Sequence, residues 1–203
     1  SAGESAGGHT DRRVARRLTM SAETGSCTVD SSVFRLPLQT QHFSLERLKA
    51  SDFDDLYAVA SDSLLWEQHP EADRWKRSKF QHFFRGGLTN DLGCFVIREK
   101  QSGRVVGSSR FYGYEAANTC IRIGYTFIAR EFWGTSANRE LKEAMLLRAF
   151  KVTDRVFFDI GPHNFRSIAA VKKLGAIFSH NESDSKAVFV LSQQQWFNTS
   201  SGC

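Results

Sequence analysis

No stretch of the 203-residue chain approaches the run of about 18 apolar residues that a membrane-crossing helix needs, so no spanning helix is expected. The N-terminal region lacks the apolar centre of a signal peptide. The four cysteines, at positions 27, 94, 120 and 203, include no C-x-x-C pair, which argues against a zinc site and a disulfide frame. Cys94 and Cys120 stand in apolar, strand-like runs and read as buried free thiols of a reducing, cytoplasmic compartment. The six histidines are scattered without helical pairing, so no metal is expected. One smaller absence points toward function. The segment REFWGTSANRELKEAMLLRAF, residues 130–150, opens as a small-residue turn and continues as a helix, yet holds no acid between Glu131 and Glu140. A helix N-terminus ordinarily attracts Asp or Glu, because its free amides and its macrodipole are positive. A start left neutral suits an external anion such as a phosphate, although Gly-Thr-Ser is also an ordinary turn with Ser136 or Asn138 as a cap.

What is present suffices for one ordinary domain. Hydrophobic residues make up 41% of the chain and include 17 Phe and 4 Trp, enough to fill a core. The net charge of +5 favours acidic partners without choosing among nucleic acid, anionic cofactors and acidic proteins. Residues 1–36 are rich in Ser, Gly, Ala and Thr and read as a disordered tail. Their five arginines against four acids leave that tail near neutral, so the folded part carries most of the charge. The globular pattern runs over 37–198, followed by a short C-terminal tail at 199–203.

Periodicity orders the elements. FSLERL (43–48) alternates as a strand. Ser51, with Asp54 three residues on, predicts the start of a helix, and a second helix is expected over Asp73 to Arg85, stopped by Gly86-Gly87. CFVIRE (94–99), VVGSSRFYGY (105–114) and IRIGYTFIA (121–129) read as strands. The helix of the 130–150 segment comes next, then the buried strand VFFDI (156–160). A helix from Asn164 to Leu174 ends at Gly175, and AIFSH and KAVFVLS close the chain as strands. The first strands form an antiparallel meander and the unit 121–160 is parallel, giving an α+β fold with helices on both faces of a mixed, mostly antiparallel sheet.

Three segments carry a resemblance. IGYTFIAREFWGTSANRELK, GPHNFRSIAAVKKLGA and HFSLERLKASDFDDLYAVASD resemble, in order and spacing, the signature segments of the GNAT superfamily of N-acetyltransferases. The branch they resemble is related to ribosomal-protein N-terminal acetyltransferases. The likeness covers roughly residues 37–196. It implies the GNAT fold, acetyl-CoA as cosubstrate, a primary amine as acceptor (a protein N-terminus or a small molecule), and a monomer or homodimer. Nucleic acid is not expected as a partner.

The resemblance also implies roles. The pyrophosphate of coenzyme A would lie on Gly134, Thr135, Ser136, Ala137 and Asn138, with Phe127, Ile128, Trp133, Asn164 and Ser167 completing the cofactor site. Of the family's Gln/Arg-x-x-Gly-x-Gly/Ala pattern only Gly134 matches, Glu131 standing at the first position and Ser136 at the last. The family's general-acid Tyr falls near Val171, which cannot donate, so Ser167 takes that role. Glu67 is the candidate base through a water, and Trp66, Glu67 and Tyr125 are the candidate acceptor wall. For Trp66 burial in the core weighs equally, and for Glu67 an exposed loop carboxylate is the simpler reading. Two alternatives remain: a CoA-binding domain of this fold without catalysis, supported by the missing Tyr, and a basic RNA- or protein-binding module.

Overall fold

The structure, a computed structural model, describes residues 30–200. Eight strands form one sheet in the order β1-β2-β3-β4-β5-β6-β8-β7. These are β1 (Leu38–Gln39), β2 (Phe43–Arg47), β3 (Cys94–Glu99), β4 (Val105–Glu115), β5 (Cys120–Ile128), β6 (Arg155–Ile160), β7 (Ile177–Ser183) and β8 (Lys186–Ser192). Every pairing is antiparallel except β5 with β6, the strands joined through α3 (Ala137–Ala149). Helices α1 (Phe53–Ala60) and α2 (Arg77–Leu88) precede β3, while α4 (Phe165–Lys173) and α5 (Gln193–Ser200) follow β6 and β8.

Strand alternation divides the apolar residues between two cores. In β3, Phe95 and Ile97 join the core built with α3, α4 and α5. Cys94 and Val96 join the smaller core under α1 and α2. Successive side chains of a strand point to opposite faces, so a run such as CFVI feeds both cores at once. Cys94 and Cys120 are buried free thiols.

Four boundaries differ from the sequence reading. Ser51 does not cap α1; it lies in a short 3-10 turn, Ala50–Asp52, and the backbone amide of Lys49 donates to the Asp52 carboxylate instead. Helix α2 begins at Arg77, not Asp73, and runs through Gly86-Gly87 to Leu88. The glycines there serve close approach. A Cβ at Gly87 would stand 2.9 Å from both the Cys94 Sγ and a Leu48 methyl, so the missing side chain lets α2 lie on the sheet. Residues 199 and 200, assigned from the sequence to a C-terminal tail, belong to α5, and Trp196 of the same helix is buried in the larger core.

The fourth difference is at the N-terminal edge. Residues 31–36, assigned by composition to a tail, are part of the fold. Ser31–Arg35 form a 3-10 turn capped by Asp30, and Phe34 is fully buried. Arg148 of α3 holds this segment by donating to the carbonyls of Val33, Leu36 and Pro37. Residues 1–29, read from the sequence as part of a disordered tail, lie outside the described residues.

The sheet opens where β5 leaves β6. Their pairing covers only Cys120↔Arg155 through Arg122↔Phe157. Beyond it, β5 continues along β4 and β6 along β8. Between Ser108 and Arg110 of β4, strand β5 carries one extra residue, and Tyr125 takes a positive φ of 51°. Such a bulge re-aims the following side chains. Ile121 and Ile123 face the larger core, whereas Phe127 falls in the smaller one.

Candidate active site

Two adjoining cavities occupy this fork. The larger, ≈ 420 Å³, lies between the end of β5, the start of α3 and helix α4. The smaller, ≈ 120 Å³, continues from it through the gap between β5 and β6, and both touch Trp66, Thr126, Asn138, Asn164 and Ser167.

The larger cavity is bordered by an open glycine turn and by cationic side chains. Gly134 has φ +73°, a conformation that favours glycine, and nothing lies within 4 Å of where its Cβ would sit. The turn therefore presents bare backbone. Thr135, rather than Ser136 or Asn138, makes the local cap: its Oγ1 donates to the Phe132 carbonyl at 2.6 Å and accepts from the Ala137 amide at 3.2 Å. The amides of Ser136, Asn138 and Arg139 have no protein acceptor among the described residues. Arg139, Arg166 and Lys173 line the same cavity, and no acidic residue among the described ones does; Arg139 pairs with Glu143 at 2.7 Å and Arg166 with Glu67 at 3.6 Å outside it. Free amides at a helix start together with three cations make an anion site. Glu131, at the first position of the turn pattern, is drawn off by an ion pair with Arg104, and Arg130 is held by Asp62.

Helix α4 supplies the opposite wall. Asn164 is its cap, with Oδ1 accepting from the Ser167 amide at 3.2 Å, which leaves the Asn164 amide hydrogens available to a ligand. Ser167, one turn in, lines both cavities. Arg166 stacks 3.4 Å from the Trp133 ring centroid, so Trp133 both packs on the core and walls the cavity. The small residues Ala169 and Ala170 keep this face of α4 open between Arg166 and Lys173.

The smaller cavity is ringed by Tyr125, Thr126, Lys142, Asp159 and the loop residues Trp66, His69 and Arg74. Trp66 is buried and its indole N–H donates to the Ala60 carbonyl at 2.8 Å. Core filling and cavity wall are therefore the same residue. Burial, then the charge of Arg74, pushes His69 down to about 4, so its ring is neutral at pH 7. Burial likewise lowers Arg74, to about 10. Lys142 of α3 donates to Thr126 Oγ1, which in turn exchanges a 2.7 Å hydrogen bond with Ser109.

Of the residues singled out from sequence, Phe127, Ile128, Trp133, Gly134, Thr135, Asn138, Asn164, Ser167 and Trp66 meet in the larger cavity, and Tyr125 in the smaller. Ser136 is exposed and Ala137 buried just behind the turn; neither lines a cavity. Glu67 is not brought to the site. It is half-exposed, outside both cavities, and pairs with Arg166 at 3.6 Å. Sequence reading missed Arg139, Arg166, Lys173, Lys142, Arg74 and Asp159. The α4 residues had a legible signal: 166, 169, 170 and 173 share one helical face. Asp159 and Lys142 had none, since each looks like the polar member of an ordinary amphipathic pattern.

Lys142 gives a testable pH dependence. Its residue is 6% exposed, and burial pulls its ammonium from the usual 10.5 down to about 7. Between those values the unfolded chain binds a proton that the folded chain lacks, so this group makes stability rise with pH through that window. Below about 7 its cost to the fold is present in full. Lys142→Met, which keeps the unbranched shape, is expected to melt above the wild type at pH 6, with the difference shrinking toward pH 10. Parallel melting curves for the two proteins across that range would refute the assignment.

Among the described residues no group of three His, Cys, Asp or Glu side chains is placed to hold a metal, and no helix is long and apolar enough to cross a membrane. In comparisons with known proteins, the family described as acetyltransferase (GNAT) domain matches residues 42–177. A GCN5-related N-acetyltransferase from Brucella melitensis superimposes with a TM-score of 0.67, at 20% identity over 80% of each chain. A structure from Vibrio cholerae, provisionally named a ribosomal-protein-serine acetyltransferase, gives 0.62 at 17% identity, covering 77% of this chain and 97% of that one. A GNAT-family acetyltransferase from Bacillus anthracis gives 0.64 at 15% identity, covering 78% and 99%. No curated protein matches the sequence.

Proposed function

The chain belongs to the GNAT acetyltransferase family, a family of acyltransferases, and on that premise we propose that it transfers an acetyl group from acetyl-CoA to a primary amine. The observation that carries this reading is the larger cavity itself: an open glycine turn, a helix start with free amides, and three cations in a lining that holds no acid among the described residues. These features fit the pyrophosphate and phosphate groups of coenzyme A. Bound there, acetyl-CoA would supply an acyl group already activated as a thioester.

The chain's own residues then position and polarise. Gly134, Thr135 and Asn138 offer the phosphate turn, with Arg139 and Lys173 beside it. Asn164 offers amide hydrogens to the pantetheine chain. Thr126 and Phe127, at the fork, offer backbone amides where charge develops on the acyl oxygen. Ser167 stands in both cavities as the hydroxyl that relays to the leaving sulfur the proton shed by the attacking amine nitrogen. The acceptor enters from the smaller cavity, beneath the 61–76 loop, whose Gln68 side chain accepts from the Arg166 amide at 3.2 Å. With the thioester already reactive, alignment of the two cavities supplies much of the acceleration.

The test is a melting scan with acetyl-CoA, followed by thiol release against a panel of peptide and small-molecule primary amines. At a hundred times its dissociation constant the ligand is expected to add about 2.7 kcal/mol of stability, several degrees for a domain of this size. Thiol release should depend on the amine. An unmoved melting temperature at millimolar acetyl-CoA would overturn the reading.

A further inference from the structure

Asp159 lies on β6 two residues past the last β5–β6 pair, where the fork has opened. One carboxylate oxygen is fully used: Oδ2 accepts from the Tyr112 hydroxyl at 2.9 Å and from Arg122 Nε at 3.1 Å. Burial, then the neighbouring Asp159 carboxylate, pushes the Tyr112 phenol up, so it stays a neutral donor. The other oxygen, Oδ1, is buried and meets no donor among the described residues. The side chain as a whole is 9% exposed. A carboxylate has room for about four hydrogen bonds over its two oxygens, and a buried acceptor left unmet costs free energy. An unmet, negatively charged acceptor beside a cavity calls for a donor, and a cationic donor bonds it most strongly.

The other charged groups of that cavity are already engaged. Asp159 is the sole carboxylate among its lining residues. Arg74 pairs with Glu71 and lies over the Trp66 and Phe83 rings at 5.2 and 4.6 Å. Lys142 is turned to Thr126 Oγ1, and His69 bonds the Glu71 amide through Nδ1 at 3.0 Å. Asp159 already pairs with Arg122 through Oδ2, so it is Oδ1 alone that is left to receive a donor from the cavity. We propose that Asp159 Oδ1 is the docking point for a compact primary ammonium group, and that this cation is the protonated acceptor. The second half rests on the transferase reading; the ammonium site stands on the geometry alone. The narrow cavity admits a nitrogen and its first few carbons and leaves the rest of the molecule under the 61–76 loop. A neutral alcohol of the same length should be a poor ligand.

The experiment titrates the full chain with n-propylammonium chloride and, separately, 1-propanol, following by NMR the amides of Gly124 and Gly161 and the indole of Trp66, all in the cavity wall. Wild type is expected to show saturable shifts with the ammonium and much smaller ones with the alcohol. Asp159→Asn keeps the shape and an acceptor for Tyr112 and Arg122, and should bind the ammonium at least tenfold more weakly. Tyr112→Phe, which removes only a donor to Oδ2, should destabilise the fold while keeping ammonium affinity within about threefold. Equal binding to wild type and Asp159→Asn, or no shift with the ammonium, would overturn the proposal. Acetyl-CoA melting scans on the same proteins keep the two ideas apart. A wild type that ignores acetyl-CoA removes the transferase reading and leaves the ammonium titration decisive. An intact acetyl-CoA shift in Asp159→Asn, together with a raised Michaelis constant for amine, assigns the loss to acceptor binding.

Discussion

Ser136→Asp is expected to abolish the thermal shift produced by acetyl-CoA while leaving the free protein as stable as before, or slightly more so. Ser136 is exposed at the start of α3, and its own side chain makes no cap bond. A carboxylate at this position is a favoured cap, worth about 0.5–2 kcal/mol to a helix, because it accepts from the second or third amide and faces the positive dipole. Those amides are the ones proposed to hold the cofactor's pyrophosphate. The added charge would both occupy them and repel the ligand. The two effects have opposite signs, so general damage cannot imitate the result. Ser136→Ala, which adds no charge, should keep the shift. Should Ser136→Asp respond to acetyl-CoA as the wild type does, the phosphates lie elsewhere, and the cations Arg139 and Lys173 would need another explanation.

The second large effect is on stability. Phe34→Ala should cost about 3–5 kcal/mol, the range for emptying a large aromatic site in a packed core. Phe34 is fully buried, 5.0 Å from the Phe111 ring centroid and 5.3 Å from that of Tyr114. Its carbonyl also lies where a Cβ on Gly93 would fall, 1.9 Å away, so the backbone around it is as tightly placed as the ring. Denaturant melts should show the loss with cofactor affinity unchanged, because Phe34 lines neither cavity. A loss under 1 kcal/mol would mean that residues 31–36 are an appendage after all.

The elements inside the domain were largely legible. Apolar runs bounded by turn residues, alternating in β2 and continuous in β3 and β6, located every strand from β2 onward. Asn164 and Gly175 were read correctly as the ends of α4, because a cap and a left-handed stop are local chemistry: Gly175 has φ +100°. The same logic misled at Gly86-Gly87, where glycine serves contact with Leu48 and Cys94 rather than a break. It misled at Phe34 too, a lone aromatic in a polar stretch whose burial depends on Phe111 and Tyr114, far along the chain.

The sequence by itself determined the α+β class, the family, and the segment that makes the open glycine turn before α3, because each rests on local patterns in the chain. Only the tertiary structure decided the site's polar content. Lys142 and Asp159 come from different elements and share a cavity because β5 and β6 part after Arg122 and Phe157. Tertiary structure also removed Glu67, a carboxylate in the expected loop that faces Arg166 instead of the cavity. Which charged side chain ends up beside an opening in a sheet depends on where strands diverge. That divergence is set by pairing between residues 35 apart, such as Cys120 and Arg155, a non-local contact that one stretch of sequence cannot display.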